Sequence, residues 1–232
     1  MRIRDMTWMQ VEEYLKEDDR CVLPLGSVEQ HAYLSLAVDM ILSERMAVDA
    51  ADPVGVPVFP SLPYGLTPYF MGYPGTITLT PSTYGKVVEE ILDSLVSHGF
   101  RRILIVNGHG GNRAARPVAE AWADRQPDVK LLWHDWWCAP ETMAAVRALD
   151  PDASHASWME GFEWTRVPGV TPPDGHKDPV DLTGREGLTG AEMRLRLGDG
   201  SFGGDYIRSA EDEHHIWDIG VRETRRTLEG GW

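Results

Sequence analysis

Arg101-Arg-Ile-Leu-Ile-Val-Asn107 is the stretch that most limits what this chain can become. Ile103 to Val106 is apolar at every position, whereas a strand with one wet face would alternate. An unbroken apolar run of this length suits a strand buried on both faces of a parallel sheet. It runs into Asn107-Gly-His109-Gly-Gly-Asn112 and then into an Ala-rich helix ending near residue 125. Strand, glycine-rich turn and helix make the βα unit of an α/β fold. Ligands in such folds bind beyond the carboxyl ends of the strands, where this turn lies.

The flanking segments repeat the alternation. A first helix is expected from Thr7, as N-cap, through Leu15, with Trp8, Val11, Tyr14 and Leu15 on one face. Strands follow at 21–25, 54–59, 76–79 and 129–134. Helices follow at 40–50, from Ser82 or Thr83 to His98, at 139–149 and at 214–228. Pro57 inside the second strand points to an edge position. The segment 60–75 is rich in Pro, Gly and aromatics. It is too long and too apolar for a simple turn and reads as an ordered loop that covers something. Residues 154–164 begin as a loop and read as a helix start around Glu160. No linker or composition break divides the 232 residues, so one domain over 1–232 is expected.

The first strand delivers the second group of chemistry-bearing residues. Val22-Leu-Pro-Leu-Gly-Ser-Val-Glu29-Gln-His31 is followed eight residues on by Asp39. Carboxylate, imidazole and carboxylate are ligand types that suit divalent zinc or manganese. Glu29 and His31 are two apart and share a side in extended backbone. Asp39 has a plainer reading as the N-cap of the helix that follows. His109 becomes a further ligand candidate once paired with this cluster. The turn around it matches neither GxxxxGK[ST] nor GxGxxG. Glu160 is the remaining acid to place near the metals, and His155 has a suitable pKa for general acid or base work.

Composition excludes other classes. The formal net charge of −14 argues against a nucleic-acid surface, which needs clustered Lys and Arg. Cys21 and Cys138 stand far apart with no CxxC pattern, which fits a reducing compartment. The N-terminal residues lack the apolar run of a signal peptide, and no run of about 18 apolar residues would span a membrane. A cytoplasmic protein is expected.

Four segments taken together resemble the creatininase (creatinine amidohydrolase) family: Leu23-Pro-Leu-Gly-Ser-Val-Glu-Gln-His31…Asp39, Tyr73-Pro-Gly-Thr-Ile-Thr-Leu79, Gly99 to Asn112, and His155-Ala…Glu160. The resemblance implies a three-layer α/β/α sandwich with a mostly parallel central sheet and two divalent metal ions (Zn, Mn or Fe) at the strand ends. It implies Glu29, His31, Asp39 and His109 as metal ligands, with Asp39 as the bridge, and Glu160 as ligand or proton carrier beside His155. It also implies a homo-oligomer, commonly a hexamer. The chain departs from the family at Ala32-Tyr33, at Tyr69-Phe70 where many members carry Glu-His, and at Gly111 where creatininase proper has Glu. The metal chemistry is therefore expected to persist and the pocket to differ. Tyr69, Phe70, Gly110, Gly111 and Trp158 are the expected pocket residues. Trp164, Trp136 and Trp137 are further candidates, and Trp133 is placed in the core.

The expected function is metal-assisted hydrolysis of a cyclic amide or other non-peptide C–N amide bond in a small molecule. Ring-opening C–C hydrolysis of an inosose-type cyclic diketone is the alternative on the same metals. A metal- or small-molecule-binding protein without catalysis is the alternative of another class. It requires His155 and Glu160 to lie far from the metal ligands.

Overall fold

The computed structural model describes residues 1–232. Its centre is a parallel sheet of β1 (Arg20–Leu25), β2 (Arg102–Asn107) and β3 (Lys130–Asp135), with β2 in the middle. The register pairs Leu25 with Asn107 and Asn107 with Asp135, so all three strands end level. Everything chemical in the molecule lies just beyond that line.

Strand alternation sorts the apolar residues into two layers. Val22, Leu104 and Val106 face one side, against α2 (Val38–Ala51), α5 (Pro140–Leu149) and α7 (Ala210–Gly230). Cys21, Leu23, Leu25, Ile103 and Ile105 face the other. There they meet α3 (Pro81–His98) and α4 (Arg116–Ala123), with α1 (Trp8–Tyr14) at the margin. The result is the α/β/α sandwich expected of the fold class. Truncating one of these fully buried residues to Ala would cost about 2–5 kcal/mol.

The expected strands at 54–59 and 76–79 are not regular strands. Val58 bridges Val22 and Arg2, Leu62 bridges Leu25, and Ile77 bridges Val28, each as an isolated pair. Pro57 and Pro60 lack the N–H that a continuous ladder needs, so this edge of the sheet stays ragged. The cap of α3 is Thr80, whose Oγ1 accepts from Thr83 N, rather than Ser82 or Thr83. Pro81 then takes the first helical position, where its missing N–H costs nothing. Gly99 closes that helix in a left-handed conformation (φ 113°) as expected. Between His109 and α4 stands a turn of 3-10 helix, Gly110–Ala115, rather than α-helix.

Two elements escaped the sequence reading. One is α6 (Gly190–Leu197), opened by a reciprocal capping box between Thr189 and Glu192. The other is the short antiparallel pair β4 (His176–Lys177) and β5 (Gly204–Asp205), which brackets α6 in the chain. Met193 and Leu197 of α6 pack with Phe70 into a small third cluster beneath the aromatic loop. That loop is ordered because it has this cluster to rest on. No helix is long and apolar enough to cross a membrane.

Close backbone approach decides where α2 begins. A Cβ on Gly26 would stand 2.4 Å from Met40 Cα, and one on Gly108 would stand 2.5 Å from the Asp39 carbonyl oxygen. Only glycine at both strand ends lets the first turn of α2 sit between β1 and β2. Gly26→Ala is expected to cost about 2–4 kcal/mol by overpacking. At 2–4 °C per kcal/mol, the thermal midpoint falls by roughly 5–15 °C. An unchanged midpoint would contradict this packing.

Candidate metal centre

The loop leaving β1 carries Glu29 and His31 back over the sheet edge. Asp39 enters from the first turn of α2, one position past the helix start at Val38, and is not its N-cap; Ala37 is. The helix dipole favours a carboxylate there. His109 follows β2 directly. Two asparagines clamp these loops together. Asn107 Nδ2 donates to His109 O (2.8 Å) and to Asp135 Oδ1 (2.7 Å). Asn112 Nδ2 donates to Gly26 O at 3.0 Å, and its Oδ1 accepts from Leu66 N at 3.3 Å.

The six titratable side chains expected from sequence converge. Asp39 Oδ2 lies 2.9 Å from His109 Nδ1, which is 3.3 Å from Glu29 Oε1. Asp39 Oδ1 lies 3.1 Å from His31 Nε2, which is 3.8 Å from Glu160 Oε2. His155 Nδ1 lies 3.8 Å from Glu29 Oε1. Ser27 Oγ donates to Asp39 Oδ2 at 2.8 Å. Glu29, His31, Asp39, His109 and Glu160 are all buried.

These groups form three overlapping donor sets, Glu29/Asp39/His109, His31/Asp39/Glu160 and Glu29/His31/His155, each with its ligand atoms within 4.8 Å of one another. Glu29 Oε2 is buried without any hydrogen-bond partner. An orphaned carboxylate oxygen in such a donor set fits a divalent cation better than it fits a hydrogen-bonded core. A fourth grouping, Asp150/Asp152/His176, lies elsewhere. Asp150 Oδ2 there already accepts from Trp158 Nε1 and Asp205 N, and both His176 nitrogens meet carboxylates. It is a satisfied structural cluster.

Protonation follows from burial and charge. Burial alone would lower His31, but Asp39, Glu160 and Glu29 outweigh it and lift the imidazole to about 10. His109 is raised in the same way, against burial, by Glu29 and Asp39. Burial works to raise Asp39, yet His31 and His109 hold its carboxyl well below the usual range. Burial and the Asp39 charge push Glu160 up to about 7, although His31 opposes this. His155 moves the other way: burial, reinforced by the neighbouring His31, holds it well below its usual value.

Glu160 does not begin an α-helix. Trp158–Glu160 is a single 3-10 turn, pinned by Ser157 Oγ donating to Ser154 O and by a left-handed Ala156 (φ 59°). Glu160 Oε2 accepts from Ala156 N at 2.6 Å. Trp158, an expected pocket residue, is fully buried instead, with its ring in the main core and its indole N–H on Asp150. Trp164 stacks on Phe162 (centroids 5.2 Å apart) and Trp136 packs on Trp217, both away from the cavity.

A cavity of about 500 Å³ opens over the donor sets. Tyr69, Phe70, Gly110, Gly111 and Trp137 line it as expected, together with Met143, Met159 and Phe202. Phe70 stacks on His155 (4.8 Å between centroids, 10° between planes), and Phe202 covers the same ring at 4.8 Å. Gln30 grips it from below: His155 Nε2 is 2.8 Å from Gln30 Nε2 and 3.1 Å from Gln30 O. Gln30 and Ser27 were missed in sequence, although both sit inside the Ser27-Val-Glu-Gln-His31 motif.

The family described as creatinine amidohydrolase matches residues 4–161, about two thirds of the chain. The chain belongs to the creatininase family. It is 32% identical over 167 residues to a creatinine amidohydrolase of Pseudomonas putida, covering 65% of this chain and 63% of that one. It is 33% identical over 107 residues to a 3-dehydro-scyllo-inosose hydrolase of Thermotoga maritima, covering 45% and 34%. The chain thus matches less than two thirds of the length of either relative. A manganese creatininase structure superposes with TM-score 0.80 at 20% identity, over 99% of this chain and 98% of that one. A zinc–zinc creatininase mutant gives TM-score 0.77 at 21% identity, over 99% and 97%. The creatininase fold therefore extends past the matched segment to the C-terminal helix.

Metal uptake by the apo protein must displace the protons that His31, His109 and Glu160 carry at neutral pH. With His31 near 10 and Glu160 near 7, affinity for zinc is expected to rise as pH increases from 6 to 8. Calorimetry in buffers of different ionisation enthalpy should show net proton release at pH 7. Zinc binding that is independent of pH would contradict the donor assignment. Asp39→Asn should lower the metal content of the folded protein from two ions towards none, read by elemental analysis. Retention of both ions would exclude Asp39 as the shared ligand.

Proposed function

We propose that the chain is one hydrolase domain over residues 1–232, dependent on divalent metal, that cleaves a cyclic amide or other non-peptide C–N amide bond of a small molecule. The observation that carries this reading is Asp39, whose two oxygens face two different imidazoles at the floor of one cavity. Glu29, Asp39 and His109 would hold one cation. His31 Nε2, Asp39 Oδ1 and Glu160 Oε2 would hold the other. Zinc, manganese and iron all accept this donor mix. Two such ions supply a water ionised near neutral pH and a polarised carbonyl.

His155 is the proton carrier of the scheme. Held neutral by burial, it can take a proton from the attacking water and return it to the leaving nitrogen. Phe70 and Phe202 confine its ring between two apolar faces, and Gln30 fixes its far nitrogen. An amide nitrogen leaves poorly as an anion, so that proton is required. The non-catalytic alternative required His155 and Glu160 to be remote. Both lie 3.8 Å from a donor atom of the cluster, which favours the enzyme.

The inosose-type C–C hydrolysis keeps the same residues and changes the bond. The Thermotoga relative supports it as the second reading. A cytoplasmic location and a homo-oligomer, such as a hexamer, complete the proposal. Both cysteines are unpaired, and Trp8 (72% exposed) and Met9 (52%) present an apolar surface suited to another copy.

A screen of the zinc- or manganese-loaded protein against lactams, formamides and cyclic diketones tests the reading. A newly formed amine is expected, within the opened lactam or as free amine or ammonia from a formamide, rather than opening of a carbocycle that yields none. His155→Ala should lower kcat by about 10²–10⁴ with metal content intact. Glu29→Gln should lose metal and activity together without unfolding. No turnover in any class, or an unaffected His155 variant, would overturn the proposal.

A further inference from the structure

Acidic residues outnumber basic ones by 36 to 22 in this chain, and its arginines are mostly committed. Arg20, Arg125 and Arg208 pair with carboxylates, and Arg225 is spent on main-chain carbonyls. Three arginines nevertheless line the one cavity that holds the metal donors: Arg113, Arg147 and Arg185. Arg113 is already engaged. Its Nε donates to Asp135 Oδ2 at 2.8 Å, and its guanidinium lies 5.1 Å over the Trp137 ring.

Arg147 and Arg185 are different. No carboxylate oxygen lies within 4.0 Å of either, and neither guanidinium is hydrogen-bonded to the protein. They enter from separate elements. Arg147 stands one turn after Met143 on α5, and both residues line the cavity. Arg185 stands on the 3-10 turn Arg185–Gly187, with its guanidinium 5.8 Å from the centroid of the pocket residue Tyr69. The last turn of α5 favours a cation, which accounts for a positive charge at 147. It does not account for a second free guanidinium arriving at the same cavity from another part of the chain. The acids in the cavity wall, Glu29, Asp39 and Glu160, are occupied with the histidines of the cluster. They are not available to neutralise these two arginines.

We propose that Arg147 and Arg185 form an anion-binding subsite, so that the substrate carries a carboxylate or phosphate group in addition to the bond that is cleaved. This rests on the hydrolase reading for the bond, but not for the anion. A planar guanidinium offers paired N–H donors that match either oxyanion. Tyr69, Phe70 and Leu182 line the same cavity and give it an apolar wall beside the arginines.

The test uses the metal-loaded full-length protein and the double variant Arg147→Gln/Arg185→Gln. Both side chains reach solvent, so the variant should keep its thermal midpoint and metal content. Calorimetry compares glutarate with its neutral diamide, glutaramide, and then inorganic phosphate with glutarate to tell which oxyanion is preferred. Glutarate is expected to bind wild type at least about tenfold more tightly than glutaramide, the scale of one charge-assisted hydrogen bond. The double variant should lose that preference while its affinity for glutaramide stays the same. Equal binding of glutarate and glutaramide to wild type, or an undiminished preference in the variant, would overturn the subsite. In turnover, hydantoin-5-acetate is compared with its methyl ester. The acid should be favoured through KM in wild type and not in the variant. Arginine-dependent anion binding with no amide turned over would overturn the hydrolase reading and leave the subsite standing.

Discussion

A single buried carboxylate shared between two imidazoles organises this molecule. Asp39 presents Oδ1 to His31 and Oδ2 to His109, with Ser27 as a third donor. Burying a charge without partners is prohibitive, and burying three carboxylates side by side is worse. The cluster persists because each acid meets a histidine, and because one oxygen of Glu29 is left open where a cation would sit. Removing Asp39 would leave two buried cationic imidazoles facing Glu29 and Glu160 at longer range. The two halves of the site would then no longer share a member.

The scaffold explains how that carboxylate is held. The three strands end level, and glycines at 26 and 108 let the start of α2 drop between two of those ends. The sheet is stiff because both faces are covered, and the loops above it are stitched by Asn107 and Asn112. Where the loops must turn hardest, the backbone is strained. Ala32 (φ 49°) and Ala156 (φ 59°) are the two non-glycine residues in the left-handed region, and each directly follows a site histidine. A left-handed alanine costs roughly 1–2 kcal/mol. Placing that strain beside His31 and His155 is consistent with loops shaped by the site rather than by the fold.

Much of this was legible in the sequence, for identifiable reasons. The apolar run at 103–106 announces a central parallel strand because alternation fails there. The Glu-x-His and Asn-Gly-His-Gly-Gly-Asn motifs fall at strand ends, so sequence alone could bring His109 to Glu29, His31 and Asp39. Reading failed where tertiary packing overrides local pattern. Val54 to Phe59 has the composition of a strand, but two prolines deny it a ladder. Trp158 adjoins His155 and Glu160 in sequence, yet its indole N–H meets Asp150 and its ring lies in the core. The missed helix α6 did carry a local signal, Thr189-Gly-Ala-Glu192, which sat inside a stretch dominated by Gly and Pro. Arg147 and Arg185 could not have been singled out, because an unpaired arginine is defined by what fails to approach it.

The central claim is that two cations share Asp39. Anomalous diffraction from crystals of the manganese- or zinc-loaded protein tests it most directly. Two peaks are expected, one among Glu29, Asp39 and His109 and one among His31, Asp39 and Glu160, each within bonding distance of a different Asp39 oxygen. A single peak, or two peaks of which only one touches Asp39, would contradict the account.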